Sequence, residues 1–110
     1  MLTIESIIGI NKKFHSGKLV NRASLEFAVS AQNKTKNWLV QLAYLVRAIL
    51  IDHSFEDGNK RTTVAIVLVY LEAHKLAYDP YKLDDIIISI TKKNIKDLKK
   101  IGRLIKNVIR

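Results

Sequence analysis

The stretch "HSFEDGNKRT", His53 to Thr62, sets a histidine, two acids, a glycine, an amide and two cations between two apolar runs. His53 carries an imidazole, the side chain that most often serves as a general base. Asp57 is a hard carboxylate suited to Mg²⁺, a cation that usually also takes phosphate oxygens and water. Gly58 lets the backbone bend and lets a phosphate approach closely. Asn59 has the side chain of a helix cap. The first N–H groups of a helix beginning there lack internal partners and form an anion site. Lys60 and Arg61 add two cations at the end of the helix where its dipole disfavours them, a conflict that a bound anion resolves. Phe55 is the apolar residue that pins the loop to a core. Together these residues point to nucleotide-dependent transfer to a hydroxyl.

Other chemistries fit less well. A Walker loop needs an earlier glycine that "GNKRT" lacks. An EF-hand started at Asp52 needs glycine where Asp57 stands and glutamate where Thr63 stands. His15, His53 and His74 have no zinc-like spacing.

The flanking sequence predicts the helices that hold this loop. Six are expected, at about Thr3–Phe14, Ala23–Asn33, Trp38–Ile51, Asn59–His74, a fifth beginning after Tyr81, and Asn94–Val108. In the first, Ile4, Ile7, Ile8 and Phe14 face inward. The third is apolar around most of its circumference and therefore central. The fifth carries Asp84 and Asp85 in its first turn. In the sixth, Ile95, Leu98, Ile101, Ile105 and Val108 recur at steps of three and four. "VAIVLVYL" and "IIISI" are β-branched enough to suit strands, but the run from Asn59 to His74 holds no turn residue, which favours a helix. Pro80 marks a turn. The residues alone favour one mainly helical domain over residues 1–110, with a strand–loop–strand around the motif as the alternative.

The chain has 110 residues, no cysteine and a net charge of +9. Disulfides and thiolate chemistry are excluded. Trp38–Ile51, the longest apolar-rich segment, is broken by Gln41 and Arg47 and falls short of the roughly 18 residues a membrane span needs. The opening residues lack the pattern of a secretory leader, so a cytoplasmic protein with no membrane partner is expected. Eight of the 19 basic residues (Lys92, Lys93, Lys96, Lys99, Lys100, Arg103, Lys106, Arg110) fall after residue 91, against one acid, Asp97. They read as the solvated face of an amphipathic helix. The functional alternative is a docking site for an acidic protein or for nucleic acid, though no nucleic-acid-binding signature accompanies them.

His53, Phe55, Asp57, Gly58, Asn59, Lys60 and Arg61 resemble the signature of the Fic/Doc (Fido) family in its Doc-like, death-on-curing form, His-x-Phe-x-Asp/Asn-Ala/Gly-Asn-Lys-Arg. "VNRASLEFAV" looks like the family's second conserved block. The resemblance implies an all-α Fido fold, a compact helical bundle with the motif loop between two central helices, and a nucleotide-dependent transferase. The Fic form has glycine where Lys60 stands and a closing arginine where Val64 stands, and Fic enzymes move AMP onto hydroxyls. The Doc-like form implies a reversed nucleotide and a kinase. On that pattern His53 deprotonates a Ser or Thr hydroxyl of a target protein and Asp57 holds Mg²⁺. Gly58, Asn59, Lys60 and Arg61 bind the phosphates of ATP. A toxin restrained by an antitoxin protein is implied as well. The Ser/Thr-x-x-x-Glu-Gly/Asn inhibitory motif of many Fic proteins is missing from this sequence. Three alternatives stand beside this reading: AMP transfer, a non-enzymatic basic module that binds nucleic acid, and a degenerate scaffold that only binds a partner. His15 and His74 read as structural or exposed, and Trp38, Tyr44 and Tyr70 as core.

Overall fold

The computed structural model describes residues 2–110. Six α-helices follow in order: α1 (Ile4–Lys12), α2 (Arg22–Gln32), α3 (Trp38–Val46), α4 (Asn59–Ala73), α5 (Pro80–Lys93) and α6 (Leu98–Lys106), with α3 running on into a π-helical turn, Arg47–Ile51. This is the expected all-α bundle. No helix among the described residues is long and apolar enough to cross a membrane.

Five helices start on a side-chain cap. Thr3 and Ser6 form a reciprocal capping box at α1, and Asn21, Asn37, Asp79 and Asp97 cap α2, α3, α5 and α6. Each cap satisfies first-turn N–H groups that otherwise lack partners. α5 therefore begins earlier than the sequence predicts. Asp79 caps it, Pro80 takes its first position, and Asp84 and Asp85 fall in the second turn. Asn94, with φ 51°, ends α5 in the left-handed region. Ile95 and Val108 share the buried face predicted for the last helix but lie outside its helical residues.

α3 is central and packs on α2, α4 and α6. α4 is helical despite its β-branched run. Thr62, Thr63, Ile66, Val67, Tyr70 and Leu71 are buried and recur with helical spacing, forming one inward stripe. Thr63 Oγ1 donates to the Asn59 carbonyl at 2.8 Å, which satisfies its hydroxyl inside the helix. Phe14 departs from expectation: it lies beyond α1 and is exposed.

A buried polar cluster ties the bundle together. The Tyr70 hydroxyl donates to Gln32 Oε1 at 2.8 Å, and Gln41 Nε2 donates to the Thr35 carbonyl at 2.6 Å. Gln32 Nε2 donates to the Leu2 carbonyl. Burial pushes the Tyr70 hydroxyl up to about 12 from 10.0, because a phenolate would lose its hydration there. Trp38 stacks on His74 with ring centroids 4.8 Å apart, which gives His74 a packing role.

Candidate functional site

The motif loop fills the gap between the π turn and α4. A π turn widens the helix, and such turns recur at functional sites. Here it ends at Ile51, and the chain reverses through His53, whose φ is 51°. Left-handed backbone is uncommon for a side-chain-bearing residue, although histidine tolerates it better than most. Ser54 is buried, and its Oγ donates to the Ala48 carbonyl at 2.8 Å, holding the end of the π turn. Phe55 is 1 % exposed and inserts into the core.

The loop is clamped from the other side by residues 18–24. Leu19 and Phe55 form an antiparallel bridge, with the Glu56 N–H on the Lys18 carbonyl and the Val20 N–H on that of Ser54. Asn21 caps α2 with its oxygen and donates its Nδ2 to the Asp52 carbonyl at 3.0 Å. Ser24 Oγ donates to the Asp52 carboxylate. "VNRASLEFAV" thus supplies both the start of α2 and the clamp on the motif.

Gly58 has φ 78° and stands at the N-cap of α4. A Cβ here would lie 2.3 Å from His15 Cδ2 and 3.1 Å from Asn11 Nδ2. Both the dihedral and the neighbours require glycine. Asn59 does not cap the helix. Its Oδ1 accepts from the Phe55 N–H at 3.0 Å and its Nδ2 donates to the Phe55 carbonyl at 2.9 Å. That two-sided bond spends the amide on loop closure, which is more favourable for a buried-loop carbonyl and N–H than leaving both unpaired.

No side chain caps α4, and the N–H groups of Asn59, Lys60 and Arg61 have no acceptor among the described residues. They open onto a cleft of about 530 Å³ lined by His53, Glu56, Asp57, Gly58, Asn59, Lys60 and Arg61, together with His15, Leu50 and Thr91. All five polar site residues expected from the sequence (His53, Asp57, Asn59, Lys60 and Arg61), with Gly58, thus line one cleft, while Phe55 is buried in the core. His53, Lys60 and Arg61 are exposed. The His53 imidazole makes no hydrogen bond to the described residues and stands open to the cleft.

Asp57 turns one oxygen back: its Oδ1 accepts from the Gly58 N–H at 2.8 Å. Its Oδ2 lies 3.6 Å from His15 Nδ1, on a side chain that is 76 % exposed. No group of three or more acidic, histidine or cysteine side chains gathers for a metal among the described residues. A lone carboxylate at the edge of an open cleft nevertheless fits Mg²⁺, which takes one or two protein carboxylates and completes its shell from other oxygen ligands and water.

Two residues of the site carried no motif signal. Asn11 is buried on α1. Its Nδ2 donates to the Asp57 carbonyl and to Thr62 Oγ1, each at 3.0 Å, and its Oδ1 accepts from the Gly17 N–H at 2.9 Å. One side chain thus joins α1, the 15–17 turn, the motif loop and α4. Its position four residues after buried Ile7, an amide on the apolar face, is the signal that could have found it. His15 packs over Gly58 and faces Asp57; nothing in the spacing of its neighbours announces this. Val64, where the Fic pattern has arginine, lines a separate apolar groove instead of the cleft. Comparison of the chain with protein-family models, curated proteins and solved structures gives no match.

Proposed function

We propose that this protein transfers the γ-phosphoryl group of ATP to a Ser or Thr hydroxyl of a protein, in the manner of the Doc-like proteins its motif resembles. The observation that carries the reading is the convergence in one cleft of the His53 imidazole, the Asp57 carboxylate and three unpartnered N–H groups at the start of α4. Those N–H groups, with the Lys60 and Arg61 side chains, bind and orient phosphate oxygens and favour the charge that develops in phosphoryl transfer. The target oxygen bonds to the γ-phosphorus as the bond from that phosphorus to the β–γ bridging oxygen breaks. The hydroxyl proton passes to His53, and ADP leaves. Asp57 would hold Mg²⁺, whose contribution is to neutralise phosphate charge. Glu56 is exposed and is given no role in this step.

Val64 favours transfer of phosphate over transfer of AMP. It leaves the position of the Fic family's closing arginine without a cation, and Lys60 fills space that glycine leaves open in that family. A restraining partner protein and a cytoplasmic setting belong to the same reading. The test is incubation with ATP labelled on either the α- or the γ-phosphate in the presence of candidate target proteins. Label from the γ position alone, abolished by His53→Ala, supports the proposal; label from the α position replaces it with AMP transfer.

The basic module is the rival. All eight cations from Lys92 to Arg110 are exposed, so the surface for it exists. Nucleic-acid binding that falls steeply with salt and survives His53→Ala would favour it.

A further inference from the structure

A second cavity adjoins the cleft. It is an apolar groove of about 500 Å³ between α4 and α5, and Lys60 and Arg61 line both spaces. The groove is within the size range of small-molecule sites, which are typically apolar with a few placed polar groups. Its floor is Val64, Ala65 and Leu68, with Ile88, half exposed, along one side. Besides Lys60 and Arg61, two further residues break the aliphatic lining. Phe14 presents an exposed ring at one edge. Asp84 presents a carboxylate that makes no ion pair among the described residues.

We infer that this groove seats the base of the nucleotide, with an exocyclic amino group of the base turned to Asp84. The inference rests on the proposed nucleotide reading. A triphosphate held at the start of α4 must project its nucleoside to one side, and the apolar space that shares Lys60 and Arg61 is the adjoining one. An aromatic ring offers a stacking face to any base. The Asp84 carboxylate can only accept, so it selects a base edge that donates, as the amino group of adenine or guanine does.

The experiment measures equilibrium binding, with Mg²⁺, of ATP, tripolyphosphate and the triphosphate of purine riboside, which lacks the amino group. The full chain should bind ATP about tenfold more tightly than tripolyphosphate. Phe14→Ala and Ala65→Phe, one removing the stacking ring and one filling the groove, should each abolish that advantage and leave tripolyphosphate affinity unchanged. Asp84→Asn should remove the preference for ATP over the purine riboside triphosphate. If tripolyphosphate binds as tightly as ATP, or if ATP affinity is indifferent to both groove variants, the inference is overturned while the phosphate site stands. If neither ATP nor tripolyphosphate binds, the phosphate reading fails and the groove assignment falls with it.

Discussion

Replacing Gly58 with alanine tests the architecture of the site at its tightest point. With φ at 78°, any Cβ sits in left-handed backbone, which costs about 1–2 kcal/mol. The added methyl would also stand 2.3 Å from His15 Cδ2 and 3.0 Å from His15 Cγ, far inside contact distance. His15 must therefore turn away. That forces it towards a poorer rotamer, at about 0.5–1.5 kcal/mol, and gives up its approach to Asp57, worth at most about 1 kcal/mol at this exposure. Gly58→Ala should thus destabilise the protein by roughly 2–3 kcal/mol, lowering the melting temperature by on the order of 10 °C. The double variant with His15→Ala should recover the steric share and leave only about 1–2 kcal/mol from the dihedral. Urea unfolding of the four proteins in the cycle measures this coupling. The Doc-like pattern accepts alanine at this position, and here His15 occupies the space it would use. A Gly58→Ala cost below about 0.5 kcal/mol, or one that His15→Ala does not reduce, would refute the reasoning.

Other outcomes follow from the same geometry. Asn11→Ala removes three hydrogen bonds from a buried position and should cost about 2–4 kcal/mol in urea unfolding, with selective loss of amide protection around Gly17 and Asp57 in hydrogen exchange. His53→Gly relieves left-handed backbone at φ 51° and removes an exposed ring, so stability should stay within about 1 kcal/mol while transfer activity falls roughly 10²–10⁴-fold. Tyr70 is held neutral in the fold with its pKa raised from 10.0 to about 12. Its share of stability is complete below pH 10 and is lost as the pH rises towards 12, by roughly 2–3 kcal/mol at 1.36 kcal/mol per pH step. Alkaline unfolding of the wild type should show this decline, and Tyr70→Phe should lack it.

Much of the bundle was legible because helix signals are local. The apolar steps of the last helix repeat at three and four, although α6 begins after its Asp97 cap and not at Asn94 as the sequence predicts. α4 could have been taken for a strand by residue type, and its uninterrupted length decided in favour of a helix. The start of α5 was misplaced because Asp79-Pro80 reads equally as a turn and as cap plus first helical residue. The site was legible in its motif and illegible in its supports. Asn59 has the chemistry of a cap, but the loop's return brings the Phe55 backbone within reach of both its amide atoms, and no local pattern encodes that return. His15 and Asn11 meet Gly58 only because residues 18–20 pair with 54–56, a contact set by tertiary packing.

The account's central claim is that phosphate binds at the open start of α4. Amide chemical shifts in a ¹⁵N-labelled sample titrated with Mg²⁺ and ATP test it residue by residue. Saturable shifts centred on the N–H groups of Asn59, Lys60 and Arg61 are the predicted result. Unmoved amides there, with the changes gathered on the lysines of α6, would contradict it.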